Sequence, residues 1–126
     1  MSLFERGLVQ VYTGNGKGKT TAAMGLIVRC VGHDGKAAMV QFMKGWPFYG
    51  EIKGLSYLPN VELFRTGGDK CFRKGKHTDR DLEEAQRGLE IAEKCLTNPK
   101  YDLVVLDEIN VAVDFGLLKI SDVLNL

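Results

Sequence analysis

The chain has 126 residues, 44% of them hydrophobic, with 17 Lys and Arg against 16 Asp and Glu for a formal net charge of +1. This length suits a single domain with a core of its own, and the composition is that of a folded globular chain rather than a disordered or fibrous one. The charge balance excludes a generic nucleic-acid binder, which would have to neutralise many phosphates at once, and no apolar run reaches the ~18–20 residues that a membrane span requires.

In chain order, Leu8-Val9-Gln10-Val11-Tyr12 predicts a first strand, and the glycines between Thr13 and Lys19 predict a loop. A helix is expected over 19–32, where Ala22, Ala23, Leu26, Ile27, Cys30 and Val31 recur at helical spacing. Gly32-His33-Asp34-Gly35 ends it. A second strand is expected over 37–42, a short helix over 51–58, and a third strand over 61–64. Trp46, Phe48 and Tyr49, between them, read either as aromatics that pack on the sheet, the reading slightly favoured, or as the wall of a ligand cleft. Residues 65–77 are rich in glycine and lysine without periodicity and predict a long loop, a kind that is usually functional. Its basic residues Lys70, Arg73, Lys74 and Lys76, with His77, read as a solvated cluster.

Thr78-Asp79-Arg80-Asp81 has the form of a helix N-cap with acids in the first turn. Leu82, Ala85, Leu89, Ala92 and Leu96 then mark a core-facing stripe to about Thr97, and Asn98-Pro99 stops the helix. Leu103-Val104-Val105-Leu106 predicts a fourth, fully apolar strand, and Ser121-Asp122 opens a last helix. Cys30, Cys71 and Cys95 form no C-x-x-C pair and lie far apart, which fits a reducing cytoplasm; all but Cys71 read as buried hydrophobes. No secretory signal layout opens the sequence. Met1-Ser2-Leu3 has the form of a cloning remnant.

Alternating strands and helices with apolar strands predict an α/β fold with a mainly parallel sheet covered on both faces. Four strands are fewer than such nucleotide-binding sheets usually carry, so the sequence reads as one domain, 1–126, truncated at its C-terminus.

The strongest chemical signal is Thr13-Gly14-Asn15-Gly16-Lys17-Gly18-Lys19-Thr20-Thr21. Placed between a predicted strand and a helix, it has the form of a phosphate-binding loop, with threonine where the common pattern begins with glycine. Gly14, Gly16 and Gly18 let successive amides turn inward, and the helix N-terminus adds positive potential. Lys19 supplies a cation for phosphate, Thr20 a hydroxyl for Mg²⁺, and Lys17 charge at the rim. Asp107-Glu108 ends the apolar fourth strand at the sheet's carboxyl edge, where open α/β folds bind ligands, and either acid suits Mg²⁺. The two motifs together predict a three-layer P-loop NTPase-type fold that binds Mg²⁺ with ATP or GTP. They do not define the reaction.

The segments 11–23, 40–45 (Val-Gln-Phe-Met-Lys-Gly), Gly50-Glu51 and 101–110 resemble the P-loop family of ATP:corrinoid adenosyltransferases, and the resemblance runs from about Leu8 to Asn125. It implies transfer of the 5′-deoxyadenosyl group of ATP to the Co(I) of a corrinoid, with release of tripolyphosphate, in adenosylcobalamin biosynthesis or salvage. It implies ATP and a corrinoid as substrates, an electron donor that reduces the cobalt, a homodimer, and Gly14 to Thr21 as the nucleotide-binding residues. Lys19 and Glu108 would be catalytic, Thr20, Glu108 and Asp107 would lie on the Mg²⁺ side, and Phe72 would be the aromatic residue near the corrinoid. Lys74 stands where the family has a tryptophan. A further strand and a T-G-R segment of the family are absent from this sequence. Two other readings are a P-loop kinase or ATPase acting at the γ-phosphate and an ATP-binding module without catalysis; product analysis separates them.

Overall fold

A computed structural model describes residues 5–126, and Met1-Ser2-Leu3 lies outside them. Eight elements follow in order: α1 (Lys19–Gly32), β1 (Ala37–Gln41), α2 (Gly50–Ser56), β2 (Val61–Arg65), α3 (Asp79–Thr97), β3 (Leu103–Asp107), α4 (Ile109–Asp114) and α5 (Ile120–Leu124). The three strands form one parallel sheet in the order β2-β1-β3. The register sets Gln41, Arg65 and Asp107 side by side at its carboxyl edge.

The central strand is buried throughout, which explains its unbroken Ala-Ala-Met-Val run. Its alternate residues serve opposite faces. Ala37 and Met39 pack with Ile27 and Cys30 of α1 and Leu55 of α2, whereas Ala38 and Val40 pack with Ala85, Leu89, Ala92 and Cys95 of α3 and with Ala112 and Leu117. Among the described residues no helix is long and apolar enough to cross a membrane.

The bounds of α1 match the sequence expectation, and Thr78 caps α3 as predicted. Its hydroxyl accepts from the Asp81 amide, and the Asp81 carboxylate accepts from the Thr78 amide at 2.7 Å. The loop between β2 and α3 has no regular structure, again as expected.

Other expectations are corrected. Residues 8–12 join no ladder, and Leu8, Val9 and Val11 stand 70% or more exposed. A strand needs amides and carbonyls of a neighbour, and local β propensity cannot supply that neighbour. The sheet therefore has three strands where the sequence predicts four. The buried stripe of α3 is also rotated: Leu82 and Leu96 are exposed, and Asp81, Gly88 and Cys95 are buried beside Ala85, Leu89 and Ala92. Close approach to β1 selects small side chains there, a preference that an apolar count overlooks. The Trp46 ring meets Phe48 and Tyr49 edge-on, with centroids 5.3 and 5.1 Å away, and Trp46 and Phe48 stay exposed. The helix α4, directly after Asp107-Glu108, is unforeseen.

Candidate functional site

The first part of the site is the glycine loop. Gly18 starts α1 from a φ of 107°, a left-handed conformation that costs other residues about 1–2 kcal/mol. No side chain caps this end and no acid lies in the first turn. The unpaired amides and the positive end of the helix dipole are thus left to an anion. Gly14, Asn15, Gly16, Lys17, Gly18 and Thr21 are all exposed, and Lys19 and Thr20 partly so. The Lys19 ammonium folds back over the loop and donates to the carbonyls of Gly14 and Gly16, each at 2.6 Å.

The second part is a polar cluster at the carboxyl edge of β1 and β3. The Thr20 hydroxyl donates to Asp107 Oδ1 at 2.9 Å. Lys44 Nζ lies 2.8 Å from Asp107 Oδ2, 3.1 Å from Thr20 Oγ1 and 3.6 Å from Glu51 Oε1. The Gln41 amide reaches Asp107 and Glu51, each at 3.4 Å, and its own buried Oε1 accepts no hydrogen bond among the described residues. Burial opposes the charge on Lys44. The hydrogen bond and charge of Asp107, with the charges of Glu51 and Glu108 behind it, outweigh that penalty and hold the ammonium pKa above its ordinary value. One ammonium thus stands between the carboxylates of Asp107 and Glu51.

The turn that carries Lys44 is tightly held. Met43 has a φ of 59°, a rare conformation for a non-glycine residue and the kind of strain that persists at functional sites. The Arg65 guanidinium donates to the carbonyls of Lys44, Gly45 and Trp46, at 2.8 Å for the last. The Lys44 amide donates to Thr66 O at 2.9 Å. A Cβ on Gly45 would collide with the backbone of Gly67 and Gly68, so the two loops touch only because glycine stands there. Glu108 has a similar strained φ of 66°, at the corresponding end of β3.

On the α3 side of this turn lies an apolar cleft of about 180 Å³, lined by Met43, Phe72, Ala85, Phe115 and Leu117, with Asp81 at its polar margin. The Phe72 ring anchors the long loop there, edge-on to Phe115 at 5.8 Å and to His77 at 6.4 Å. Lys74 reaches away to an exposed ion pair with Asp114 at 2.9 Å.

Of the residues predicted from sequence, Thr20 and Asp107 meet directly, Lys19 stays with its loop, and Phe72 stands on the cleft. The Glu108 side chain enters no hydrogen bond or salt bridge among the described residues and reaches Lys44 only through its charge. Sequence reasoning assigned no role to Lys44, Gln41, Glu51 or Arg65. The signal was present for the first two, because they follow or end an apolar strand whose carboxyl end must open on the ligand edge. Cys30 and Cys95 are buried as expected, and burial, ahead of a nearby carboxylate, pushes both thiols up. Cys71 is exposed.

A parallel sheet whose carboxyl edge joins a lysine, a hydroxyl and an acid beside a glycine loop defines an α/β protein with a polar cluster at that edge. Residues 5–126 match the family ATP:corrinoid adenosyltransferase BtuR/CobO/CobP, and the chain belongs to that family. It is 36% identical over 120 residues to the corrinoid adenosyltransferase of Pseudomonas aeruginosa, covering 95% of this chain and 59% of that protein. It is 36% identical over 122 residues to corrinoid adenosyltransferase CobA of Salmonella typhimurium, covering 96% and 61%. Against the corrinoid adenosyltransferase of Escherichia coli it is 37% identical over 120 residues, covering 94% and 60%. The chain therefore spans about 60% of the length of these relatives.

Proposed function

We propose that this chain is a single nucleotide-binding domain of the three-layer P-loop NTPase type. Its reaction is transfer of the 5′-deoxyadenosyl group of ATP to the Co(I) of a corrinoid, in making or salvaging adenosylcobalamin. The observation that carries this reading is the turn Met43-Lys44. Lys44 enters the oxygen cluster beneath the glycine loop, and the neighbouring Met43 lines the apolar cleft with Phe72. A triphosphate on the loop and one face of a corrin macrocycle against the cleft would then lie on two sides of one strained turn.

In this reaction the cobalt electron pair forms a bond to C5′, and the C5′–O bond breaks with its pair leaving on tripolyphosphate. The loop amides and Lys19 stabilise that departing charge. The apolar residues keep water from the reduced cobalt. No general base is needed, so Glu108 serves as an electrostatic and ligand group rather than as an activator of water.

The donor set fits Mg²⁺. Thr20 Oγ1 and the Asp107 carboxylate offer hard oxygens within hydrogen-bond reach of one another, and few protein ligands suit an ion that keeps its waters and binds through phosphate. The unpartnered Gln41 Oε1 lies at the same place. Among the described residues no group of three or more His, Cys, Asp or Glu forms a cage of its own. Thr20 and Asp107, with Glu108 next along the chain, would hold the ion, which supplies charge neutralisation for the phosphate oxygens. The same reading includes a separate electron donor for the cobalt, a homodimer and a cytoplasmic location.

The test is incubation of the chain with ATP, Mg²⁺ and chemically reduced corrinoid. An alkyl-cobalt absorption spectrum appearing with stoichiometric tripolyphosphate is expected. ADP with phosphate, and no alkyl-cobalt, would overturn the reading in favour of chemistry at the γ-phosphate.

A further inference from the structure

We propose that the Lys44 ammonium and a divalent cation are alternative occupants of the same oxygen pair, Thr20 Oγ1 and Asp107 Oδ2, so that cation binding requires Lys44 to be displaced. The inference rests on the phosphate-site reading above and deepens it. Three observations carry it.

The first is position. Lys44 Nζ lies 3.1 Å from Thr20 Oγ1 and 2.8 Å from Asp107 Oδ2. A cation shared by that hydroxyl and that carboxylate would be forced into contact with the ammonium, and two cations do not share one oxygen pair in a half-buried site. The second is charge. Lys44 Nζ lies 2.8 Å from Asp107 and 3.6 Å from Glu51, so two carboxylates share one ammonium. A divalent cation matches that pair of charges better than Lys44 alone. The third is the fully buried Gln41, whose amide nitrogen reaches Asp107 and Glu51 while its oxygen accepts nothing from the described residues. An acceptor buried without a donor is costly unless a cation or donor arrives near it. Lys44 carries its ammonium on a long, flexible stem, which lets the charge move without moving the turn.

The experiment uses Mn²⁺ alone as the probe, titrated into this chain and followed by electron paramagnetic resonance. Lys44→Met is expected to bind free Mn²⁺ at least about tenfold more tightly than the unaltered chain, or about 1.4 kcal/mol. Lys53→Met, which removes one exposed positive charge from α2, is expected to change the affinity by less than about twofold. The control separates occupancy from a general change of net charge. A variant-free measurement accompanies it: acetylation of the unaltered chain, read lysine by lysine by mass spectrometry. Saturating Mn²⁺ is expected to raise Lys44 labelling severalfold while Lys100 labelling stays constant.

Equal Mn²⁺ affinity in Lys44→Met and the unaltered chain, or an equal gain in Lys53→Met, overturns the inference. So does Lys44 remaining protected while Mn²⁺ is bound, which decides the matter even if Lys44→Met fails to fold. A parallel titration with Mn²⁺ and ATP distinguishes the two levels. If the unaltered chain binds that complex, only the displacement idea has failed; if it does not, the phosphate-site reading itself fails.

Discussion

At the scale of single residues, Lys19 carries the test of the proposed phosphate site. Its ammonium is held by two carbonyls of the loop, and the residue is partly exposed. A charge-assisted hydrogen bond contributes about 1.5–3 kcal/mol, so Lys19→Ala should weaken ATP binding by about ten- to a hundredfold. Calorimetric titration checks this, and adenosyl transfer should fall with it. Unchanged affinity would remove the loop as the phosphate site. Glu62 gives a pH prediction away from the site. Hydrogen bonds from Lys100 at 2.6 Å and Tyr101 at 2.7 Å hold its carboxyl below the usual range. A lowered carboxylate pKa contributes stability that is complete above the ordinary glutamate value and is lost as pH falls through the lowered one. Both partners of the ion pair are exposed, so the effect is small. The gap in melting temperature between the unaltered chain and Glu62→Gln should be present near neutral pH and close in acid.

At the scale of elements, two helical glycines have opposite meanings. Gly25 in α1 has open space where a Cβ would stand. Gly25→Ala should therefore show the ordinary propensity gain, about 0.8–1 kcal/mol of added stability. Gly88 in α3 lies against the sheet, where a Cβ would come within 2.6 Å of a ring carbon of Phe42 and 2.9 Å of Thr66 Oγ1. Both neighbours are fully buried and have no room to retreat. Overpacking costs about 1–3 kcal/mol, which exceeds the helix gain, so Gly88→Ala should be destabilising on balance. Urea denaturation of both variants tests the pair of signs. The same closeness explains the rotated stripe of α3. The helix presents Ala85, Gly88 and Ala92 to β1 because larger residues would hold it away.

At the scale of the whole molecule, stability is concentrated in the central strand. β1 has a partner on each edge and helices on both faces, whereas residues 8–12 have no ladder and β3 pairs only with β1. Amide exchange should follow that order. The amides of 8–12 should exchange within the dead time of a manual experiment, and those of Met39 and Val40 should be the last to exchange. Protection of 8–12 comparable to β1 would refute this account of the sheet. The carboxyl edge is where the molecule brings its distant parts together: Thr20, Gln41, Lys44 and Asp107 come from one helix, one strand, one turn and another strand.

Much of this protein was legible in the order of its residues. The glycine loop and its helix, the capped α3, the apolar strands of the sheet and the acid at the end of β3 are local patterns. Each follows from propensities and spacing within about a dozen residues. The meeting of Thr20 with Asp107 followed too, because two motifs at one sheet edge have few ways to be apart. What spacing did not convey was anything set by long-range partners. The failure of 8–12 to pair, the small-residue face of α3, and the Lys44 ammonium between Thr20 and Asp107 all depend on chain segments far away in sequence. Pairing, close packing and charge compensation act through space, and only the tertiary arrangement decides which groups share that space.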